Sequence, residues 1–413
     1  MIIGGSCTAG TGLKVLPCND KSDGLTWELS TYFSTTSSTI VCSWEKITKP
    51  TLKVEWPSPR HCNTMAALTN GKPEQKDGFT ILMLGGLDGS SNYDTLKETW
   101  TYGPISRSGT TDRTWVQHKP AATPLNRAMF AIAQIPNTNA ALLFGGSLTA
   151  TKTTNEGGCG NSLDNSTWVF NGAPSSDVSW NEIIVNKTCA KKSCPFLTPA
   201  VRQWHTMAGL SSKKVLLFGG MGGCAKYPTL KNDTWIYNHV TKGWSKQPEP
   251  KTKIIDPRQY HAMAQLKEGI VILFGGVKSS TIDKSRDQMA RGTFVFDEKL
   301  SEWKNLSYLS GYPPPCPRLN HAMVQLTTGT ILMMGGADGL AFSSTSGTTE
   351  SRNYKSDTWT LTVDENGEAK WNEVIKKKTL VWPPGRMDHA LASIGANKVL
   401  LYGGCTGDRY HSG

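Results

Sequence analysis

Five histidines that recur near equivalent places along the chain are the residues best suited to chemistry. They are His61, His205, His261, His321 and His389. If their imidazole nitrogens converged at one point they could bind a metal ion, but such a site would also need carboxylates and groups that orient the ligands. Because a repeated unit would supply one histidine per copy whether or not a ligand is bound, we interpret them as structural. We therefore predict no metal and no cofactor.

The histidines belong to a repeat with a constant spacing. His205, His261, His321 and His389 each begin an apolar strand, and a glycine pair follows 14 residues later. We align Asn63 and Arg127 with these histidines; their longer distances to the next glycine pair, 22 and 18 residues, indicate insertions in the intervening turn. The six pairs are Gly85-Gly86, Gly145-Gly146, Gly219-Gly220, Gly275-Gly276, Gly335-Gly336 and Gly403-Gly404.

Two aromatic positions follow each of the first five glycine pairs and complete the repeat. The first is Trp100, Trp168, Trp235, Phe294 or Trp359, and the second is Trp115, Trp180, Trp244, Trp303 or Trp371. Together they predict four strands per unit, most clearly over 258–303, because tryptophan suits a pleated, half-buried surface. The anchors recur at intervals of 64, 78, 56, 60 and 68 residues, and self-similarity of this kind along a chain is typical of propellers and solenoids.

The two ends of the chain complement each other. The chain stops after a first and second strand, and the N-terminal region around Trp27 and Trp44 offers a third and fourth. We predict a single all-β domain over 1–413, with residues 1–54 completing the blade begun by 386–413, because ring closure protects the sheet edges. Six four-stranded blades are expected; Gly4-Gly5, a seventh glycine pair, favours the alternative of a seven-bladed ring truncated at both ends.

The motif resembles that of the kelch family of β-propellers. The shared features are a leading Arg and His, a strand ending in two glycines, Asp-Thr-Trp on the third strand (233–235, 357–359) and a fourth-strand Trp. Resemblance to galactose-oxidase-like members would imply a copper site of Tyr, Cys and His. Tyr260 and His261 are adjacent, but no set of positions matches that site. We expect a non-enzymatic protein- or glycan-binding domain; a metal-dependent propeller enzyme and an intracellular kelch adaptor are the alternatives.

The cysteines concentrate on one face of such a propeller. Eight fall in loops that emerge at the same end of the blades, and we predict disulfides among them: Cys7, Cys18, Cys159, Cys189, Cys194, Cys224, Cys316 and Cys405. Cys7 with Cys18 and Cys189 with Cys194 are candidate pairs, although sequence does not settle connectivity. This pattern predicts an extracellular or cell-surface protein; reduced thiols in a cytoplasmic protein are the alternative. Four glycosylation sequons begin at Asn165, Asn186, Asn232 and Asn305.

Charge indicates the class of partner. The formal net charge is +11, and three lysine clusters lie beside connections on the cysteine-rich face: Lys187, Lys191 and Lys192; Lys246, Lys251 and Lys253; Lys376, Lys377 and Lys378. A basic rim would attract an acidic protein or glycan, whereas solvated lysines that keep the domain soluble are the alternative. The sequence has no interleaved aromatic and basic residues of the kind found in nucleic-acid-binding modules, so we expect no nucleic-acid partner. No apolar run approaches the roughly 20 residues of a membrane span. By resemblance to the kelch portions of large surface proteins, we expect a larger multidomain context.

Overall fold

The computed structural model describes most of the chain and is built from β-strands. The described residues are 25–33, 40–49, 55–69, 79–88, 94–107, 110–148, 163–172, 178–184, 198–224, 227–249, 255–278, 288–327, 329–338, 354–376, 381–395 and 397–406. Their strands are β1 (Thr26–Phe33), β2 (Ile40–Ile47), β3 (Arg60–His61), β4 (Thr64–Thr69), β5 (Phe79–Leu84), β6 (Leu87–Asp88), β7 (Thr99–Arg107), β8 (Thr110–His118), β9 (Ala131–Ile135), β10 (Ala140–Phe144), β11 (Thr167–Asn171), β12 (Ser179–Glu182), β13 (Thr206–Gly209), β14 (Lys214–Phe218), β15 (Met221–Cys224), β16 (Tyr227–Leu230), β17 (Thr234–Asn238), β18 (Gly243–Lys246), β19 (Ala262–Lys267), β20 (Ile270–Phe274), β21 (Thr293–Asp297), β22 (Glu302–Asn305), β23 (Ala322–Thr327), β24 (Thr330–Met334), β25 (Thr358–Val363), β26 (Ala369–Glu373), β27 (Arg386–Met387), β28 (Ala390–Ser393), β29 (Lys398–Tyr402) and β30 (Cys405–Thr406).

These strands form six antiparallel four-stranded blades around a central channel, which confirms the six-bladed propeller. From the innermost strand outward the blades are β4-β5-β7-β8, β9-β10-β11-β12, β13-β14-β17-β18, β19-β20-β21-β22, β23-β24-β25-β26 and β28-β29-β1-β2. We number them blade 1 to blade 6 in that order. The last blade joins the two ends of the chain: Thr26 of β1 lies opposite Tyr402 of β29. Gly4-Gly5, the basis of the seven-bladed alternative, lies outside the described residues.

Side chains that alternate along each strand bury the two faces of a blade against its two neighbours. In β10, Leu142 and Phe144 pack with blade 3, whereas Ala141 and Leu143 pack with blade 1. This is the alternation expected of a strand covered on both faces. The hydrophobic core is therefore divided into six interfaces, one between each pair of adjacent blades.

The fourth-strand tryptophan links each blade to the one before it. Its indole N–H donates to a threonine hydroxyl at the start of the neighbour's third strand, as from Trp244 to Thr167 at 3.0 Å and from Trp303 to Thr234 at 2.9 Å. The same bond occurs for Trp115, Trp180 and Trp371. Trp44 in blade 6 makes no such bond within the described residues, and the hydroxyl of Thr358 is also without a partner there.

A buried arginine connects each blade to its predecessor at the end where the innermost strands begin, which we call the upper face. Its guanidinium donates to the carbonyl of the first glycine in its own blade, and its backbone carbonyl accepts from the second glycine of the preceding blade. Arg202 thus bonds Gly219 O at 3.0 Å and accepts from Gly146 N at 2.9 Å. All six arginines, which are at most 1% exposed, make both bonds: Arg60, Arg127, Arg202, Arg258, Arg318 and Arg386.

The glycine pairs permit this approach because they have no side chain. Gly220 has a φ of +91°, and a Cβ added there would lie 2.7 Å from Gln203 O. A larger residue would therefore be strained by its backbone angle and would also push the two blades apart.

Arg127 corrects the predicted alignment of blade 2. It occupies the position of the buried arginines, and the residue equivalent to His205 is Phe130, three residues later. The step from Phe130 to Gly145 is close to the regular spacing, so the large insertion is confined to blade 1. The alignment on histidine fails in blade 2 because this blade has a phenylalanine, Phe130, where the other repeats have a histidine or Asn63.

The arginines differ in whether a carboxylate neutralises them. Arg202 makes a bidentate pair with Asp233 at 2.7 and 2.8 Å, and the same carboxylate accepts from the indole of Trp235. Arg258 makes no ion pair with a carboxylate among the described residues, because Gly292 and Phe294 replace the Asp and Trp of that blade; its guanidinium lies 4.9 Å from the Phe294 ring centre. Burial lowers the pKa of Arg258 to about 10.

We predict that Arg202→Met costs about 3 to 5 kcal/mol of unfolding free energy, because it leaves the buried Asp233 carboxylate without its cation. Arg258→Met is the matched control: it removes the same bonds to backbone carbonyls but leaves no unpaired carboxylate, so about 1 to 3 kcal/mol is expected. Urea unfolding followed by tryptophan fluorescence measures both. Equal losses would mean that the carboxylate does not contribute to the stability of this contact between blades.

Candidate binding site at the upper mouth of the channel

The innermost strands enclose an axial channel with two different ends. At the lower end the first and second strands turn, and a cavity of about 740 Å³ is lined there by residues such as Gln134, Asn137, Gln265 and Glu268. At the upper end a smaller pocket of about 130 Å³ lies on the axis. The two openings therefore present different surfaces to solvent.

Six residues surround the upper opening, and each has a left-handed backbone conformation. They are Cys62, Met129, Trp204, Tyr260, Asn320 and Asp388, with φ between +52° and +60°. We call them the mouth ring. Each stands one residue before the histidine position, so every blade contributes one member.

Backbone hydrogen bonds hold the mouth ring together. Trp204 N donates to Met129 O at 3.0 Å, Asn320 N to Tyr260 O at 3.0 Å, and Cys62 N to Asp388 O at 3.0 Å. Tyr260 N and Asp388 N continue the same pattern at 3.4 and 3.1 Å. Positive φ in a residue other than glycine is unfavourable, and it persists only where the surrounding structure enforces it.

The side chains of the mouth ring divide into an aromatic part and an acidic part. The rings of Trp204 and Tyr260 have centres 4.7 Å apart and planes inclined by 44°. The Cys62 thiol donates to the Asp388 carboxylate. Burial and then the charge of Asp388 raise the pKa of both Cys62 and Tyr260 well above their usual values. Asp388 therefore adds negative charge beside the aromatic part of the ring.

The histidines lie just below the mouth ring and are held neutral. Burial, followed by the charge of the nearby arginine, lowers the pKa of His205 to about 3, and the pKa of His389 reaches about 3 for the same reasons. The pKa values of His261 and His321 are lowered well below 6.5. Each of His205, His261 and His321 packs edge-on against a phenylalanine of the preceding blade, such as His205 against Phe144 at 5.6 Å.

The histidines hold the backbone less firmly than the arginines do. The imidazole nitrogens of His205, His261, His321 and His389 make no hydrogen bond of ordinary length and angle among the described residues. A weaker backbone contact with the preceding blade, to Phe144, Phe218, Phe274 or Met334, partly offsets the lowering of each pKa. His61 is not one of this set: it lies in β3 opposite Leu87, and Asn63 occupies the histidine position of blade 1. Among the described residues, no group of three or more His, Cys, Asp or Glu side chains is arranged to hold a metal ion.

Most of the predicted lysine rim lies outside the described residues, so its role stays a prediction. That applies to Lys187, Lys191, Lys192, Lys251, Lys253, Lys377 and Lys378. Lys246 pairs with Glu249 at 2.8 Å, and Lys376 donates to the Ser356 hydroxyl at 2.5 Å.

The described cysteines fall into two groups. Cys42 and Cys62 are free thiols, whereas Cys316 and Cys405 are disulfide-bonded. Cys224 ends β15, and its side chain is not described. The remaining predicted disulfide cysteines lie outside the described residues: Cys7, Cys18, Cys159, Cys189 and Cys194.

Two predicted glycosylation sites, Asn165 and Asn305, are exposed. Asn232 is half-buried and Asn186 lies outside the described residues. None of these placements shows that a glycan is attached.

Sequence reasoning did not find the mouth ring. Its six members have no residue type in common, so no motif contains them. The one available signal was positional, since each follows the buried arginine by two residues.

Comparison with known proteins decides the family. The KLHDC2/KLHL20/DRC7 Kelch-repeats domain matches residues 109–336, more than half of the chain. The chain belongs to the kelch-repeat family. The kelch resemblance seen in the motifs is thereby confirmed, and the domain is of a type that commonly mediates protein interactions.

The individual relatives are distant in sequence, and each alignment covers only part of the relative's length. Adagio protein 3 of Arabidopsis thaliana is 24% identical over 218 residues, covering 51% of this chain and 32% of that protein. Kelch domain-containing protein 2 of Bos taurus is 30% identical over 128 residues, covering 31% and 28%. The chain spans about a third of the length of these relatives.

The solved structure of YjhT has the same fold. It aligns with a TM-score of 0.52 at 14% identity, covering 87% of this chain and 98% of the other. No helix among the described residues is long and apolar enough to cross a membrane.

The neutral histidines predict sensitivity to acid. In the unfolded chain the histidines bind protons below a pH of about 6.5, whereas in the folded chain His205 and His389 stay neutral down to about pH 3. The free energy of unfolding therefore falls as the pH falls through that range. His205→Phe, which copies Phe130 of blade 2, should flatten the dependence of unfolding free energy on pH by about 1.4 kcal/mol per unit. Urea unfolding between pH 4 and 7 measures this.

The reverse variant, Phe130→His, serves as the control and should steepen the dependence by a similar amount. Identical slopes for both variants and the native chain would show that these histidines titrate equally in the folded and unfolded states.

Proposed function

We propose that this kelch propeller is a protein-binding domain that engages its partner with the upper face. The observation that supports this is the mouth ring: six side chains set around the channel by backbone angles that cost energy in any residue but glycine. Local strain of this kind concentrates at functional sites, and a rigid scaffold that carries variable side chains is typical of binding surfaces. At the lower opening, the described residues of positive φ other than glycine are Asn137, Lys213 and Asn397; they lie in the tight turns between first and second strands, where this conformation is common.

The finer part of the proposal concerns the loops and the compartment. We propose that disulfides brace loops of the upper face, that the partner is a protein or an acidic glycan that meets the lysine clusters, and that the domain acts outside the cell or at its surface. The disulfide-bonded Cys316 and Cys405 and the exposed sequons at Asn165 and Asn305 support this. An adaptor inside the cell fits the same fold and is the alternative.

Site-specific photocrosslinking tests the choice of face. With p-benzoylphenylalanine in place of Met129, another member of the mouth ring, the full chain should crosslink a partner protein in extracts of its source cells. The same group at Asn137, which also has a positive φ of +58° but lies at the lower opening, is the matched control and should crosslink that protein at least tenfold less. Equal capture at both positions, or capture only at Asn137, would rule out the upper face.

Thiol labelling tests the compartment. Alkylation of the purified chain in denaturant without reductant should modify Cys42 and Cys62 and leave Cys316 and Cys405 unmodified. Peptide mass spectrometry reads the four sites, and a sample reduced beforehand is the control in which all four react. Modification of Cys316 and Cys405 without reductant would favour the intracellular adaptor.

A further inference from the structure

The upper pocket contains buried polar atoms that the described protein leaves unsatisfied. They include both amide atoms of Asn63 and the hydroxyl oxygens of Thr64 and Thr206. Asn63 is only 4% exposed. A buried polar atom without a partner costs about 1 to 3 kcal/mol, so this space is suited to water or to a polar ligand.

The size of the pocket limits what can enter it. Its volume of about 130 Å³ is well below the roughly 300 to 1,000 Å³ of sites that bind small molecules or cofactors. It equals the volume of about four water molecules. The end of a single side chain therefore fits, with water behind it.

Charge varies with depth along the axis. At the level of the histidines the buried arginines add positive charge: after burial itself, Arg202 and Arg258 are the next causes that lower the pKa of the neighbouring histidine. At the mouth ring Asp388 supplies the only carboxylate among the described lining residues, and after burial its charge is the next cause of the raised pKa values of Cys62 and Tyr260. A positive group is therefore favoured at the mouth and disfavoured deeper in the channel.

Aromatic rings at the same level favour the same charge. Trp204 and Tyr260 line the pocket together with Asp388, whose side chain is the only carboxylate among the described residues of its lining. A cation over the face of tryptophan or tyrosine gains about 0.5 to 2 kcal/mol, and a carboxylate adds a charge-assisted hydrogen bond. Lysine and arginine side chains have this chemistry.

We propose that the mouth ring captures one lysine or arginine side chain of a protein partner. The cationic end lies at the mouth, which Trp204, Tyr260 and Asp388 line, and water behind it bridges to Thr64 and Thr206. This inference rests on the proposed protein-binding function and adds the chemistry of the residue that is recognised.

Peptide selection on the full chain tests this inference. Random twelve-residue peptides displayed on phage should enrich one position in lysine or arginine. In synthetic copies of the selected peptides, norleucine in place of that residue should weaken binding at least tenfold by fluorescence polarisation. Asp388→Asn should weaken binding at least fivefold; asparagine keeps the shape of the side chain and tolerates the left-handed backbone. Glu268→Gln, which removes a carboxylate at the lower opening, is the matched control and should leave affinity unchanged.

Several outcomes would overturn the inference. They are enrichment of acidic or neutral residues only, an unchanged affinity of Asp388→Asn, an equal loss in Glu268→Gln, or no selected peptide at all. Crosslinking from position 129, which lies outside the proposed cation site, separates this failure from failure of the proposed function: if it still captures a partner, the upper face binds protein but does not recognise a basic side chain.

Discussion

The pair of hydrogen bonds made by each buried arginine, which we call the arginine bracket, is the interaction on which the rest of this propeller depends. Each guanidinium holds the end of its own blade, while the carbonyl of the same residue accepts from the glycine pair of the blade before it. The bond from Gly404 N to Arg60 O closes the circle at 3.0 Å. Because one residue acts on two blades, the six blades share a constant spacing although the loops between them differ in length.

The bracket also accounts for the chemistry of the third strand. In Asp233-Thr234-Trp235 the aspartate neutralises an arginine, the threonine accepts from the next blade's tryptophan, and the tryptophan donates back to the aspartate. Blade 4 departs from this pattern: Phe294 cannot donate, and Gly292 has no carboxylate to accept. There the arginine is covered by an aromatic face rather than by a carboxylate, and the blade still forms.

Rigidity at the periphery permits strain at the centre. The mouth ring keeps six residues at positive φ because the bracket and the inter-blade cores fix the backbone on either side of each one. The side chain at that position makes no contact that is common to all six blades. This explains why cysteine, methionine, tryptophan, tyrosine, asparagine and aspartate all occur there. Such a position is free to vary with the partner.

The repeat around the mouth ring could be predicted from the sequence, because glycine pairs, third-strand aromatics and fourth-strand tryptophans each reflect a contact that the blades share. The alignment was wrong at Arg127, where Phe130 replaces the histidine that was used to find the register.

The sequence by itself therefore determined the four-stranded repeat and the number of blades, because these depend on residues a short distance apart in the chain. The tertiary structure alone decided the site. Cys62 and Asp388 are more than 300 positions apart in the chain and hydrogen-bond to each other, and Trp204 meets Tyr260 from the next blade. Their meeting results from closure of the ring, which brings one residue from each distant segment to a common axis.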